Sequence, residues 1–424
     1  ASRGLAGDEE AVHYLLARYA PEHVENWIGL AGRPLVTAAL ALPSQAGLLG
    51  ARLASAAALG LAAWAVARAA RHLGGPAPVW AVFLFLLQPF LLAHGGTAMT
   101  EPWSAALLAW GLVATIERRS LLLTAIAASL PLARAELAIF WLPAAIFLWY
   151  DRRRRWIALL PLPLLAWHAA GVMTSGDWLW LPRHLIGPEY SPRHPLHYAR
   201  SMAWTLGPGV LVPCMVGIVH RAARERERAR AVIKERGSAR RAELAALAML
   251  VTLVALYTAL ASAGPGTGGN LRYMALAAPA AALLASAGLR TLLAPMGPAT
   301  MAALGLALLG AVTLWSHPYH RDQLLLERRD LFVPATVAAW AIAAILRGRQ
   351  YVVPALGVAL ALLGLLRDHR SLILRSPTEE ERAVAAAAQW MREHNRNGGV
   401  VYSAHPLLAL ALGRDPYDRA LFPG

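Results

Sequence analysis

Residues 46–70 read AGLLGARLASAAALGLAAWAVARAA, an apolar run interrupted only by Arg52 near its start and Arg68 near its end. A helix of roughly 20 such residues crosses the hydrocarbon core of a bilayer, and an arginine at its end can extend its guanidinium to the interface. The rest of the chain has the same character. Of 424 residues 57% are hydrophobic and 15% charged, with a mean hydropathy of +0.44. So few polar side chains could not cover a water-soluble domain of this size. The chain is read as an all-α integral membrane protein.

Working outward with the same rule gives spans near 46–70, 78–93, 102–116, 120–133, 136–150, 156–173, 203–220, 243–263, 273–290, 297–314, 331–346 and 351–366, a total of 12. The short pair around Pro131 also fits a broken hairpin. Charge tests the alternation. The formal net charge is +15, and Lys234 is the only lysine. The arginines fall in short clusters between apolar runs, which suits the positive-inside rule better than a continuous basic groove.

If the first span runs inward, the inner connections hold Arg68 and Arg71, Arg118 and Arg119, DRRRR at 151–155, residues 221–243, and Arg347 with Arg349. Residues 221–243 carry nine basic and four acidic side chains and read as a helical cytoplasmic extension. No aromatic residue interleaves there for base stacking, so nucleic acid is not an expected partner. The lone cysteine, Cys214, excludes an intrachain disulfide and a cysteine-based metal site.

Three regions follow. Residues 1–45 form a first extracytoplasmic loop with an amphipathic interfacial helix. Residues 46–366 are the transmembrane domain, with a long outer loop at 174–202 and the basic segment 221–243. Residues 367–424 form a small extracytoplasmic, water-exposed appendage: a helix, a turn at Asn397-Gly398-Gly399 and a short strand at 400–403. The sequence begins with Ala and no signal segment, so one more transmembrane helix is expected upstream.

The outer loops hold the residues with chemistry. GLAGDEEAVHYLL at 4–16 sets Asp8, Glu9 and Glu10 side by side, with no base before Arg18, so local pairing does not explain them. They precede a helix in which Val12, Leu15, Leu16 and Tyr19 recur at helical spacing and would lie on the membrane surface. N-capping by Asp8 is the simplest structural alternative. HGGTAMTEP at 94–102 places His94 and Glu101 at the same boundary. PLARAELAIF at 131–140 adds Arg134 and Glu136, and GGNLRYMALAAP at 268–279 adds Arg272 and Tyr273. A helix-start role for Glu101 and an ion pair between Arg134 and Glu136 remain open alternatives. Together they put carboxylates and guanidinium groups on one face of a membrane, as transfer from an anionic lipid carrier requires.

The order of GDEEAVHYLLARY, GRPLVTAALALPSQAG, GARLASAAALG, TAMTEPWSAALLAWGL, LPLARAELAIFWLPA, SGDWLWLPRHLIG, LGPGVLVP and LRYMALAAPAAALLASAGL resembles the polytopic glycosyltransferases of the GT-C superfamily. The nearest relatives in kind are bacterial enzymes similar to protein O-mannosyltransferases and the lipid A aminoarabinose transferase. The resemblance implies a GT-C-like helical bundle whose outer loops enclose a polyprenyl-phosphate-linked sugar. It implies that Asp8 matches the acid of the first outer loop that takes the proton from an acceptor hydroxyl. Glu9 matches the acid that follows it, and Glu101 an acidic position at the start of a later helix, where Asp is more usual. Arg272 matches an Arg-Tyr pattern and would neutralise the leaving phosphate. Arg134 is a further phosphate candidate by type and side, and His94, Glu136 and Tyr273 complete the expected substrate-binding set.

The expected partners are membrane lipids, the polyprenyl-phosphate sugar donor and a hydroxyl-bearing lipid, glycan or protein, at the outer side of a bacterial inner membrane. No cofactor follows from the residues. Some members of the superfamily use a divalent cation, but His317, His320 and Asp322, and His184, His194 and His197, match no metal spacing and read as interfacial. GPGTGG at 264–269 lacks the lysine of a phosphate-binding loop and reads as a flexible connection. Trp178 and Trp180 read as interface anchors rather than sugar platforms. Two other classes stay open: an inactive GT-C-like subunit of a larger membrane complex, and a transporter or flippase. The latter would carry midplane polar residues and internal repeats, which are not evident here.

Overall fold

The computed structural model describes residues 4–29, 31, 33–74, 77–185, 191–231, 237–263, 270–293, 376–394 and 405–418. Among them every regular element is a helix.

Two parallel helices set the frame. α4 (Leu48–Ala70) and α7 (Glu101–Ile116) run the same way. At their starts Glu10 accepts from Arg52 on α4 and from the Ala98 amide just ahead of α7; at their ends Arg68 donates to Glu117 at 2.6 Å. At 1.5 Å per residue the two ends lie about 24 Å apart. α8 (Ser120–Ala133) turns back from the Arg68 end and returns Arg134 to Glu101; α9 (Trp141–Tyr150) runs down again, so that Asp151 meets Ser120 at 2.8 Å. α13 (Pro208–Ala231) descends to the Arg221–Glu243 pair, and α14 (Ser238–Ala263) climbs to place Tyr257 against Glu136. A tight 3-10 helix (Leu271–Ala277) and α15 (Ala278–Leu293) then lead back to Leu73, whose carbonyl accepts from Arg290. Among the described residues, the connections near Arg68, Arg119, Asp151 and Glu243 thus share one end of the bundle.

Among the described residues four helical stretches, Leu48–Leu73, Arg154–Ser175, Ser238–Ala263 and Leu271–Leu292, are long and apolar enough to cross a membrane, or five with one bent pair. The expected total of 12 is not reached among the described residues, and the spans at 297–314, 331–346 and 351–366 lie outside them. Two expected spans are broken. Residues 78–93 form α5 (Ala77–Leu86) and α6 (Pro89–Gly95), bent by 74°. Pro89 disfavours helix in the preceding residue, and Gln88 adopts φ −75, ψ 126. Residues 203–220 divide into α12 (His197–Leu206) and α13 at Gly207, whose φ of +74 suits glycine.

Close helix contacts hold the far side of the bundle. A Cβ on Gly288 of α15 would lie 1.8 Å from the Pro213 carbonyl oxygen, and one on Gly217 of α13 2.3 Å from that of Leu284. Small residues let the two backbones touch, as they do within membranes. This contact fixes the start of α15 and with it the 271–277 turn.

The first helix, α1 (Asp8–Tyr19), packs part of its apolar face on the chain itself. Tyr14 and Leu15 are buried with Val36 and Leu40 of α3 (Pro34–Ser44), Ala51 of α4 and Ala409. Ala409 belongs to α17 (Pro406–Leu412), which packs with α16 (Glu379–His394) in the C-terminal segment. That segment is seated on α1. The Leu5 amide donates to Glu381, and His23 lies 2.6 Å from Asp415. The expected turn at 397–399 and strand at 400–403 lie outside the described residues.

Candidate functional site

The three adjacent acids of α1 point three ways, because successive helical residues are rotated by about 100°. Gly7, not Asp8, is the N-cap, and no side chain caps the helix. Asp8 is exposed, with its carboxylate near Glu380 and His405. Glu10 is fully buried and accepts from Arg52 Nε at 2.8 Å, from the Ala6 amide at 2.6 Å and from the Ala98 amide at 3.0 Å. It clamps α1 to α4 and to the loop before α7. Glu9 is exposed as well, but its carboxylate turns to Arg272 and pairs with it.

Glu9 lies on the wall of a cavity of about 210 Å³ formed by Val12, His13, Ala31, Arg33, Thr100, Arg134, Arg272 and Tyr273 with it. Three guanidinium groups against one carboxylate make this wall net positive. Each comes from a different element: Arg33 from the N-cap of α3, Arg134 from the C-cap of α8, and Arg272 from the 271–277 turn. Asn270 fixes that turn by accepting from the Arg272 amide at 3.1 Å.

Behind the wall the charges are paired. Glu101, 1% exposed, lies 3.3 Å from Arg134 Nη1 and 3.4 Å from Arg272 Nε. Arg134 Nε also donates to Glu136 at 2.8 Å, and its guanidinium sits 4.4 Å from the centre of the Tyr273 ring. Tyr273 stacks on Tyr257, whose hydroxyl donates to Glu136 at 3.3 Å. The result is a continuous chain, Glu136–Arg134–Glu101–Arg272–Glu9. Buried charges are tolerated only when paired in this way.

Arg33 is different. Its side chain makes no hydrogen bond or ion pair among the described residues, and burial is the largest influence lowering its pKa, with Glu136 opposing. Its backbone holds φ 60, ψ 114 immediately before Pro34. Positive φ is costly for a residue with a Cβ, more so before proline, and such strain concentrates at functional sites.

The predicted residues therefore divide. Glu9, Arg134, Arg272 and Tyr273 line the cavity, and Glu101 and Glu136 stand directly behind it. Asp8 does not reach it. His94, buried on α6 with its carbonyl accepting from Thr97 at 2.7 Å, lies outside the wall. The sequence reading missed Arg33 and His13. Helical spacing carried a signal for the latter, since His13 lies four residues after Glu9 on the same face. His13 is 8% exposed; burial foremost, then the guanidiniums of Arg33, Arg272 and Arg134, hold its pKa down to about 4 against the pull of Glu101.

A second hollow of about 530 Å³ runs between α7, α8, α9 and α14, walled by such residues as Leu108, Leu112, Ile126, Leu130 and Phe140. Arg241 is its one charged lining residue. Leu130 lies one helical turn from Arg134, so the apolar groove begins close to the polar cavity.

Among the described residues two clusters have donor spacing that could hold a cation, Asp8–Glu380–His405 and Glu22–His23–Asp415; both join the first segment to the C-terminal one, and neither lines the cavity. Trp178 is exposed, whereas Trp180 is buried edge-on against Trp167. His317, His320 and Asp322 lie outside the described residues, as does 264–269.

The fold is shared with a solved membrane protein of the kind the sequence resembles, and the likeness extends to the fold alone. A solved protein with this fold is ArnT from Cupriavidus metallidurans, in a crystal structure bound to undecaprenyl phosphate: TM-score 0.66, 14% identity, 97% of this chain and 81% of that one. No protein-family model and no curated protein matches the sequence.

Proposed function

We propose that this chain is a membrane glycosyltransferase that takes a sugar from a polyprenyl-phosphate carrier and gives it to a hydroxyl on a lipid, glycan or protein outside the cytoplasm. The observation that carries this reading is the convergence of Arg33, Arg134 and Arg272 on one small cavity with Glu9 at its wall. The ArnT likeness supports the fold, and that protein's undecaprenyl phosphate supports the choice of carrier.

Chemically, the acceptor hydroxyl gives its proton to the Glu9 carboxylate as its oxygen attacks the anomeric carbon. The bond from that carbon to the phosphate oxygen breaks, and its electron pair stays on the phosphate. Negative charge grows where the three guanidinium groups are fixed, which stabilises the transition state more than the ground state. A phosphate that engages Arg272 also releases Glu9 from its ion pair to act as base. The carrier's tail has an apolar path along the α7–α8 groove.

The base in this account is Glu9, with Asp8 outside the reacting centre. Mass spectrometry of surface glycans and glycolipids in cells lacking the chain tests it. The expected result is a lost species, restored by the wild type and by Asp8→Asn but reduced at least about 100-fold with Glu9→Gln. An unchanged profile on deletion, or full restoration by Glu9→Gln, would favour a non-catalytic subunit of a larger membrane complex.

A further inference from the structure

His13 is the cavity residue that the reaction above does not use. It stands on α1 one turn beyond Glu9, is 8% exposed, and its Nδ1 is sealed from solvent without a hydrogen-bond partner among the described residues. A buried polar nitrogen left unpaired costs about 1–3 kcal/mol. Placed on the wall of a polar cavity, it points to a ligand atom as the missing partner.

The charged and titratable groups around it come from every wall. Glu9 lies on its own helix, Glu101 at the start of α7, Arg33 ahead of α3, Arg134 at the end of α8, and Arg272 with Tyr273 in the 271–277 turn. We propose that His13 is a proton-linked ligand of the phosphate: it takes up one proton as the anion enters the cavity and then donates an N–H bond to a phosphate oxygen. This rests on the cavity's being the head-group site of a polyprenyl-linked phosphate.

The reason is electrostatic. Without a nearby anion, protonation would add a fourth cation beside three guanidinium groups in a buried site, and burial and those groups keep the imidazole neutral at pH 7. A phosphate offsets that repulsion and supplies a hydrogen-bond acceptor, so the protonated form gains and the pKa rises in the complex. Linkage gives the sign. Affinity rises as pH falls from the complex's pKa towards about 4, where the free protein's His13 also becomes protonated. The slope within that interval is up to about tenfold per pH unit. As the sugar leaves, the phosphate gains charge and holds the His13 proton more tightly.

The probe is a short-chain polyprenyl phosphoryl-hexose, a phosphodiester with no second proton of its own to lose. Its binding to the full chain in detergent is measured by titration calorimetry between pH 5 and 8, in buffers of different ionisation enthalpy. The expected result is uptake approaching one proton per ligand at the acid end and weakening affinity as pH rises. His13→Asn abolishes the uptake and binds at every pH with the wild type's high-pH affinity, while Glu9→Gln keeps the uptake. Uptake that survives His13→Asn, uptake lost only with Glu9→Gln, or wild-type binding without uptake overturns the role of His13 and leaves the head-group site standing. Failure of the wild type to bind the phosphodiester at any pH overturns the head-group site and the inference with it.

Discussion

The two ends of α4 and α7 carry the same residue types arranged for different purposes. At the far end, Glu117 receives Arg68 at 2.6 Å and Arg119 at 2.8 Å, and Arg119 is half exposed. At the α1 end, Arg134 and Arg272 are 6% and 9% exposed and share Glu101, with Arg33 beside them unpaired. Arginines at the far end can spread into the interface and finish a helix. Those at the α1 end are aimed by three separate chain segments into one hollow. Charge content alone does not distinguish anchoring from chemistry; convergence and burial do.

The largest effect that sharpens this contrast is on Arg134. Arg134→Ala leaves Glu101 and Glu136 without their shared guanidinium and lowers stability by about 3–5 kcal/mol, as for other broken buried pairs. Arg68→Ala at the far end leaves the thermal unfolding midpoint in detergent unchanged. Equal losses at both ends would erase the distinction.

Arg33 separates binding from folding. Arg33→Gly removes the guanidinium and suits a φ of 60, so stability is kept or slightly raised. Affinity for undecaprenyl phosphate falls roughly tenfold to 100-fold, the equivalent of one lost charged hydrogen bond. A destabilised variant with undiminished affinity would make Arg33 structural.

A smaller effect concerns the segment seated on α1. His23 has its pKa raised above 6.5, first by the hydrogen bond to Asp415. A raised histidine pKa contributes stability that is full below the unfolded value and is lost as pH rises through the folded one. Limited proteolysis of residues 376–418 should therefore quicken as pH rises through and above neutrality, and His23→Gln should abolish that dependence. The smallest effect is that of Asp8→Asn, within about twofold to threefold in transfer, as for a surface substitution.

Much of the bundle was legible because spanning helices need long apolar runs, and arginines mark alternate ends. α4, α14 and the 271–292 stretch follow directly. The break at Gln88–Pro89 was signalled by its proline, yet hydropathy joined α5 to α6. Glu9, Arg134, Arg272 and Tyr273 were legible as a set, since each lies at a helix boundary on one face. Which acid meets Arg272 was not: one residue turns a helical side chain by about 100°, so Asp8 and Glu9 could be separated only once Gly7 was fixed as the cap. Arg33 precedes α3 and was not singled out by spacing or charge clustering. The meaning of His13 depends on arginines 20, 121 and 259 residues away in sequence.

The central claim is that the cavity at the α1 end holds a polyprenyl-linked phosphate. A structure of the chain with undecaprenyl phosphate tests it most directly. The account predicts phosphate oxygens about 3 Å from the guanidinium groups of Arg33, Arg134 and Arg272, with the tail leaving along the α7–α8 groove. A phosphate bound at Arg241 or beside Arg68, with the α1 cavity unchanged, would contradict it.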